Sequence, residues 1–226
     1  MPNDPKAFQF DLPPEDRPSY APLAEKWYPG IADVWPGCTS SRAFDAILGV
    51  RAVVIHATAG SSSEGAVSVM RAGKASFHWL VPDENEPQHG SFAWACAPEA
   101  RAAWHVRNAV HHPDVWNDAM RINHFSLGVE IVNLANPTDD YSDWQVDMAA
   151  QIVRYAWAKY PNLRHVVSHA KLDPERRTDP GSHFPWDDFR LRVLNSLPEQ
   201  IPALVGAARS ADTIEPAARD ICSECA

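Results

Sequence analysis

Apolar positions in this chain change period several times, and each change marks an element. Val50 to Thr58 is a short β-branched run broken by Gly60-Ser61-Ser62-Ser63, which predicts a buried strand and then a turn. Ser61 and Glu64 have capping-box spacing, so a helix is predicted from Ser62 to Ala72. Ser76–Pro82 and Ser91–Ala97 predict two more strands, and the polar stretch Asp83–Gly90 between them predicts a hairpin turn. Leu127–Val132 and His165–Ser168 predict a fourth and a fifth strand. Ser142 and Gln145 form a second capping box. Ala149, Ile152, Val153 and Ala156 follow at i, i+3, i+4 and i+7, which predicts an amphipathic helix over Asp143–Lys159, ended by Pro161. A last helix is predicted from Trp186 to Leu197, and no internal repeat is present.

Strands alternate with helices, but one pair of strands reads as a hairpin. The expected fold class is therefore α/β, a single domain with a central mixed β-sheet flanked by helices. A chain of 226 residues with 45% hydrophobic content can bury one good-sized core. That domain is expected over residues 46–200. Residues 1–45 carry Pro2, Pro5, Pro13, Pro14, Pro18, Pro22, Pro29 and Pro36, and proline removes backbone donors. The same stretch holds Phe8, Phe10, Tyr20, Trp27, Tyr28 and Trp35, too many aromatics for a solvated linker. It reads as an irregular Pro-rich N-terminal arm packed on the domain surface, with no regular core element. Residues 201–226 read as a C-terminal tail.

Charge narrows the partners. A formal net charge of -9 argues against nucleic acid, against attachment to anionic membranes and against adhesion to a polyanionic wall. No apolar run is long enough to be an integral membrane segment. The N-terminal stretch MPNDPKAFQFDLPPEDRPSY has neither a basic n-region nor an apolar h-region, so no signal peptide is expected. Cys38 and Cys96 are isolated. Cys222 and Cys225 form a single CxxC, read as a tail feature without a catalytic role.

Candidate chemistry sits at the ends of the apolar runs. His56 closes Ala52-Val53-Val54-Ile55-His56, and His169 follows the run ending at Ser168. Asp179 lies ten residues later in the turn Arg177-Thr178-Asp179-Pro180-Gly181. Two histidines and one carboxylate can hold a catalytic zinc and leave one position open for water. Taken singly, each histidine also reads as an ordinary core or rim residue, and Asp179 as a turn-former. Strand alternation puts Gly128, Glu130 and Val132 on one face. Glu130 there is either a salt-bridged edge residue or a general base. His78 reads as a satisfied core histidine.

Five blocks in order carry a resemblance: VVIHATAG (53–60), SFHWLV (76–81), AWHV (103–106), NHFSLGVEIVN (123–133) and SHAKLDPERRTDPGSHFPW (168–186). Over roughly residues 50–195 the chain resembles the type 2 N-acetylmuramoyl-L-alanine amidases, zinc amidases related to peptidoglycan recognition proteins. The resemblance implies Zn²⁺ held by His56, His169 and Asp179, with Glu130 as the catalytic base. It implies that Trp104 and His105 line the substrate groove. Asn133, after the Glu130 strand, reads either as a substrate contact or as an ordinary strand-ending residue. Arg177 stands where the family usually has lysine; arginine keeps the positive charge for an oxyanion but does not give up a proton. The implied reaction is hydrolysis of the amide between N-acetylmuramic acid and L-alanine in peptidoglycan or muropeptides. The expected partner is that substrate, and a monomer is expected. The implied location is the cytoplasm, or the cell envelope after release as an endolysin. A non-catalytic peptidoglycan-binding module is the alternative, against which all three ligands and Glu130 are retained. A zinc peptidase would instead cut within the stem peptide.

Overall fold

Backbone pairing of the predicted apolar runs builds one sheet. The computed structural model describes residues 4–195; Cys222, Cys225, the predicted tail and the last residues of the predicted final helix lie outside the described residues. The strands are β1 (Gln9–Asp11), β2 (Glu25–Trp27), β3 (Thr39–Ser41), β4 (Ala52–Ala57), β5 (Trp79–Val81), β6 (Ala93–Ala95), β7 (Arg101–Ala103), β8 (Ser126–Ile131) and β9 (His165–Ser168). The helices are α1 (Ala46–Gly49), α2 (Ser63–Arg71), α3 (Asp143–Lys159), α4 (His169–Leu172) and α5 (Trp186–Leu194). Seven strands form a mixed sheet in the order β1-β9-β4-β8-β5-β6-β2, and β3 pairs with β7 in a second, two-stranded sheet. β9, β4, β8 and β5 are mutually parallel, and β5 and β6 form the antiparallel hairpin.

The central strands are buried on both faces, as parallel strands require. On one face Val53, Ile55, Leu127, Val129, Ile131 and Val166 pack with Val146, Ala149, Ile152, Val153 and Ala156 of α3 and with Phe189 and Val193 of α5. On the other face, Ala66, Val67 and Met70 of α2 cover Leu80, Trp94 and Val132. Beside them Val54 and Val167 pack against Val106, Ile122, Phe125 and Leu172. His56 and Glu130 lie on this second face, between the two apolar packs. α3 has the predicted boundaries and the predicted capping box, and Gln145 Nε2 donates to the Val132 and Pro82 carbonyls, tying the helix start to the strand ends. No helix among the described residues is long and apolar enough to cross a membrane.

The Pro-rich arm is largely irregular, with 3-10 turns at Pro5–Ala7, Pro14–Asp16, Ile31–Asp33 and Trp35–Gly37. It also does more than pack on the surface. Its two short strands, β1 and β2, are the two edges of the main sheet. Proline is tolerated beside an edge strand, and three residues between prolines suffice to pair with a neighbour. Phe8, Phe10 and Leu12 are buried in the main core, with Phe8 stacked on Trp186 at 4.8 Å between ring centroids. Arg17 donates to the Trp157 carbonyl in the last turn of α3 and to the Tyr160 and Pro161 carbonyls just past it, placing a cation at the helix C-terminus.

The arm should therefore behave as core. Phe10→Ala is expected to cost about 3–5 kcal/mol of unfolding free energy, the usual cost of truncating a buried phenylalanine. Leu191→Ala, at an exposed position of α5, should stay within about 0.5 kcal/mol. Urea unfolding followed by tryptophan fluorescence separates the two; equal midpoints would mean that the arm is an attachment.

Candidate metal and catalytic site

Three elements bring the candidate ligands together. His56 is near the carboxyl end of β4, and His169 is the first residue of α4, directly after β9. Ser168 caps that short helix by accepting from Lys171 N, and the Ala170 amide donates to the Asp179 carbonyl at 2.9 Å. This last bond fastens the Asp179 turn to the His169 backbone.

Their polar atoms converge. His56 Nδ1 lies 3.0 Å from His169 Nδ1 and 3.2 Å from Asp179 Oδ2, and His169 Nδ1 lies 3.0 Å from the same Oδ2. One face of a zinc tetrahedron with ligands at about 2.0–2.1 Å has edges of about 3.3 Å, so this triangle is only slightly tight for the ion. The donor set also fits a cation chemically. Two nitrogens that face each other can share one proton at most, and the third atom belongs to an acceptor-only carboxylate. His169 Nε2 is buried without a hydrogen-bond partner among the described residues.

The electrostatics agree. Burial, reinforced by His169, lowers the His56 pKa to about 4 against the pull of Asp179. Burial alone would raise Asp179, but its bonds to His169 and His56 outweigh that and hold it well below the usual carboxylate range. Both groups are thus in the protonation states a metal needs.

Glu130 is the register partner of His56 on the adjacent strand, which aims both side chains to one face. Its Oε2 is shielded from water and has no partner among the described residues. Burial first, then the neighbouring Asp179 charge, pushes its pKa up to about 8, with Arg177 acting in the opposite direction. Arg177 is exposed, yet its charge reaches both Glu130 and His56.

The three expected substrate contacts divide. Trp104 is 37% exposed and donates from its indole to Ser40 Oγ. His105 is buried, with its ring nitrogens 3.0 Å from His56 Nε2 and 3.0 Å from Ser126 Oγ; it stands behind a candidate ligand. Asn133 is buried too. Its side chain donates to the Asp139 carbonyl and accepts from the Ala135 amide, shaping its own loop. His78 is a core histidine: Nδ1 accepts from the Gly128 amide, and burial followed by the Arg42 charge lowers its pKa to about 3. Tyr141 escaped the sequence reading. Its hydroxyl donates to the Pro180 carbonyl and its ring packs edge-on against Phe184, so it braces the turn that carries Asp179. No local pattern marks such a residue.

A family model described as N-acetylmuramoyl-L-alanine amidase matches residues 47–182. The chain is 26% identical over 159 residues to the N-acetylmuramoyl-L-alanine amidase AmiD of Escherichia coli, covering 66% of this chain and 55% of the relative. It is 33% identical over 102 residues to the 1,6-anhydro-N-acetylmuramyl-L-alanine amidase AmpD of Salmonella typhimurium, covering 44% and 50% of the two chains. Among solved structures, AmpDh3 of Pseudomonas aeruginosa in complex with anhydromuramic pentapeptide superposes with a TM-score of 0.54 at 27% identity, over 63% of this chain and 59% of that one. The chain thus spans little more than half the length of these relatives.

The charges set a pH signature for the metal-free protein. Glu130 binds its proton more tightly folded than unfolded, so between about pH 4.5 and 8 the folded state carries the extra proton and stability falls as pH rises. His56, His78, His105, His112 and His124, whose pKa values are all lowered, act in the opposite sense, and their share fades as pH rises above 6.5. The Glu130 contribution is therefore read as the difference between the parent and Glu130→Gln. From pH 6.5 to 8 the urea midpoint of the parent in chelator should fall relative to that of Glu130→Gln; parallel slopes would refute the assignment.

Proposed function

The chain belongs to the N-acetylmuramoyl-L-alanine amidase family, and from that premise we propose that it is a zinc-dependent amidase. It would hydrolyse the amide between N-acetylmuramic acid and the L-alanine of a stem peptide. The observation that carries this reading is the convergence of His56 Nδ1, His169 Nδ1 and Asp179 Oδ2 within 3.2 Å of one another. Catalysis is assigned to residues 46–200, with the arm over 1–45 completing the sheet, 201–226 as a tail, and the monomer as the working unit.

His56, His169 and Asp179 would hold Zn²⁺. Bound there, zinc supplies Lewis acidity, lowering the pKa of water and polarising a carbonyl. Glu130 accepts the proton of the attacking water and returns it to the leaving amine of L-alanine. To do so it must be ionised, and positive charge nearby brings its raised pKa down toward the working range. Arg177 sets a fixed positive charge at the exposed side of the site for the oxygen that becomes negative on addition. Trp104 offers a partly exposed ring to the substrate. The remaining two candidates serve through their neighbours. The net charge of -9 favours soluble muropeptides over a polyanionic wall, and the anhydromuramic ligand of the Pseudomonas relative supports the same preference.

Parallel digestion of purified sacculi and soluble anhydro-muropeptides, with products identified by mass, tests the reading. The expected product is a free stem peptide starting at L-alanine, formed faster from the soluble substrate, lost after chelation and restored by Zn²⁺. Glu130→Gln should keep the zinc and lose about 10²–10⁴-fold in turnover. Cuts inside the stem would make the protein a peptidase, and retention of substrate without product would make it a binding module.

Arg177 has its own test. Arg177→Lys should keep most of the turnover, because both side chains are cationic at neutral pH. Arg177→Ala should lose about 10²–10³-fold in kcat, the usual effect of removing one oxyanion partner. Full activity of Arg177→Ala from pH 6 to 9 would leave Arg177 a surface residue.

A further inference from the structure

The buried side chains behind His56 form a line of hydrogen bonds with a single self-consistent direction. It ends at the Ile122 carbonyl, which can only accept. Ser126 has one hydroxyl proton and donates it there at 2.8 Å. Its oxygen then has only lone pairs left for His105 Nε2 at 3.0 Å, so that nitrogen carries the hydrogen. His105 is buried, and its two ring nitrogens bond only Ser126 Oγ and His56 Nε2 among the described residues; with no carboxylate to hold a second proton there, its Nδ1 is bare. That bare nitrogen accepts from His56 Nε2 at 3.0 Å. The one proton of a neutral His56 therefore sits on Nε2, and its Nδ1 lone pair faces His169 and Asp179.

We propose that His105 and Ser126 are positioning residues that preset the tautomer of His56, holding its Nδ1 bare and aimed for a metal ion. The metal itself rests on the function proposed above; the tautomer does not.

The surroundings of His105 are built for this task. Its ring lies directly over Gly128, where a Cβ would come within 2.7 Å of His105 Cγ. The residues on either side are clamped. The Trp104 amide donates to Ser76 Oγ at 2.6 Å. Asn123 accepts from the Val106 amide at 2.9 Å and donates back to the Val106 carbonyl at 2.6 Å. The His56 and His105 rings stand perpendicular, at 89°, which points the edge of one ring at the other. His169 has no such support, since its Nε2 lacks a partner among the described residues. The device is therefore one-sided: His56 is preset and His169 is not.

Two measurements test it, and the first needs no metal. Nitrogen-15 spectra of the metal-free protein should show His56 protonated on Nε2. Ser126→Ala removes the acceptor for His105 and should populate the other tautomer of His56. The second measurement is zinc affinity by competition with a chromophoric chelator. His105→Leu should bind about 10–100-fold more weakly, the usual cost of losing a ligand's hydrogen-bond partner. His105→Asn, whose Oδ1 can stand where Nδ1 stands, should recover affinity to within a few-fold of the parent. A merely structural role would not be rescued in this way. An unchanged tautomer in Ser126→Ala, or parent-like zinc binding by His105→Leu, would overturn the proposal. If the parent protein takes up no zinc, the metal reading falls, and the tautomer measurement still decides this one. Should His105→Leu fail to fold, Ser126→Ala carries both measurements.

Discussion

The parallel pairing of β4 with β8 on one side and β9 on the other is the constraint on which the site depends. The register sets His56 against Glu130 and Ile55 against Ser168, which leaves His169 just beyond the last paired residue. A candidate ligand, a candidate base and a second candidate ligand thus arrive at the same end of three adjacent strands. Strand periodicity makes this placement all-or-none, because a slip of one residue would turn His56 into the α3 core and bring Ile55 to the site. The two apolar layers on opposite faces forbid such a slip: Val53, Ile55, Val129 and Ile131 fill one, and Val54 and Val167 fill the other. Hydrophobic burial therefore fixes the chemistry indirectly, by fixing which way each strand faces.

This arrangement gathers polar groups in a place that disfavours charge. His56, His105 and His78 are buried with lowered pKa values, while Glu130 is driven up and keeps one oxygen without a partner among the described residues. Such groups destabilise a fold unless something offsets them. Hydrogen bonds offset part: His78 joins the Gly128 amide, and His105 joins Ser126 and His56. What is left over is concentrated at His56, His169, Asp179 and Glu130, where lone pairs outnumber protons. A divalent cation would satisfy that deficit, so the destabilising part of the fold and the proposed reactive part are the same residues.

Much of this could be read from the sequence, and the boundary has a physical cause. α3 and β9 were legible to the residue, because a capping box, a 3.6-residue period and Pro161 are all local signals. His56, His169 and Asp179 were legible as candidates because each closes an apolar run or sits in a marked turn. Glu130 was placed on its face by alternation, and its candidate role came from the family resemblance. The arm's edge strands were not, since three residues between prolines are too few to show a period of two. Arg17 at the end of α3 and Tyr141 at Pro180 depend on partners 140 and 39 residues away in sequence, which no window contains. His105 was noticed, but its direction was not. A strand-end histidine beside a tryptophan looks the same whether it faces solvent or a neighbouring ring, and only the missing side chain of Gly128 decides.

Asp179 differs from the histidines in standing on a loop, so the sheet register does not place it. Its position comes from bonds that converge on that loop from three directions. The Ala170 amide holds its carbonyl, Tyr141 holds the next carbonyl at Pro180, and Gly181, at φ +90°, lets the turn close against the Ala135 backbone. At the other end of the loop, Asp173 takes two bonds from Arg107, and its carbonyl accepts from the Arg177 amide. Arg107 lies two residues beyond His105. The segment that supports His56 from behind and the loop that delivers Asp179 from the front are therefore fastened to each other by an ion pair. Because Asp173 is almost fully buried while Arg107 is half exposed, the link is more than a surface contact, and losing it would leave a carboxylate buried without its main partner. Arg177 shares this anchor through its backbone, so its exposed side chain starts from a fixed point, with its charge felt at Glu130. The rigidity that a strand gives to His56 is supplied to Asp179 and Arg177 by backbone bonds within the loop and by the Tyr141, Arg107 and Asp173 side chains that hold it.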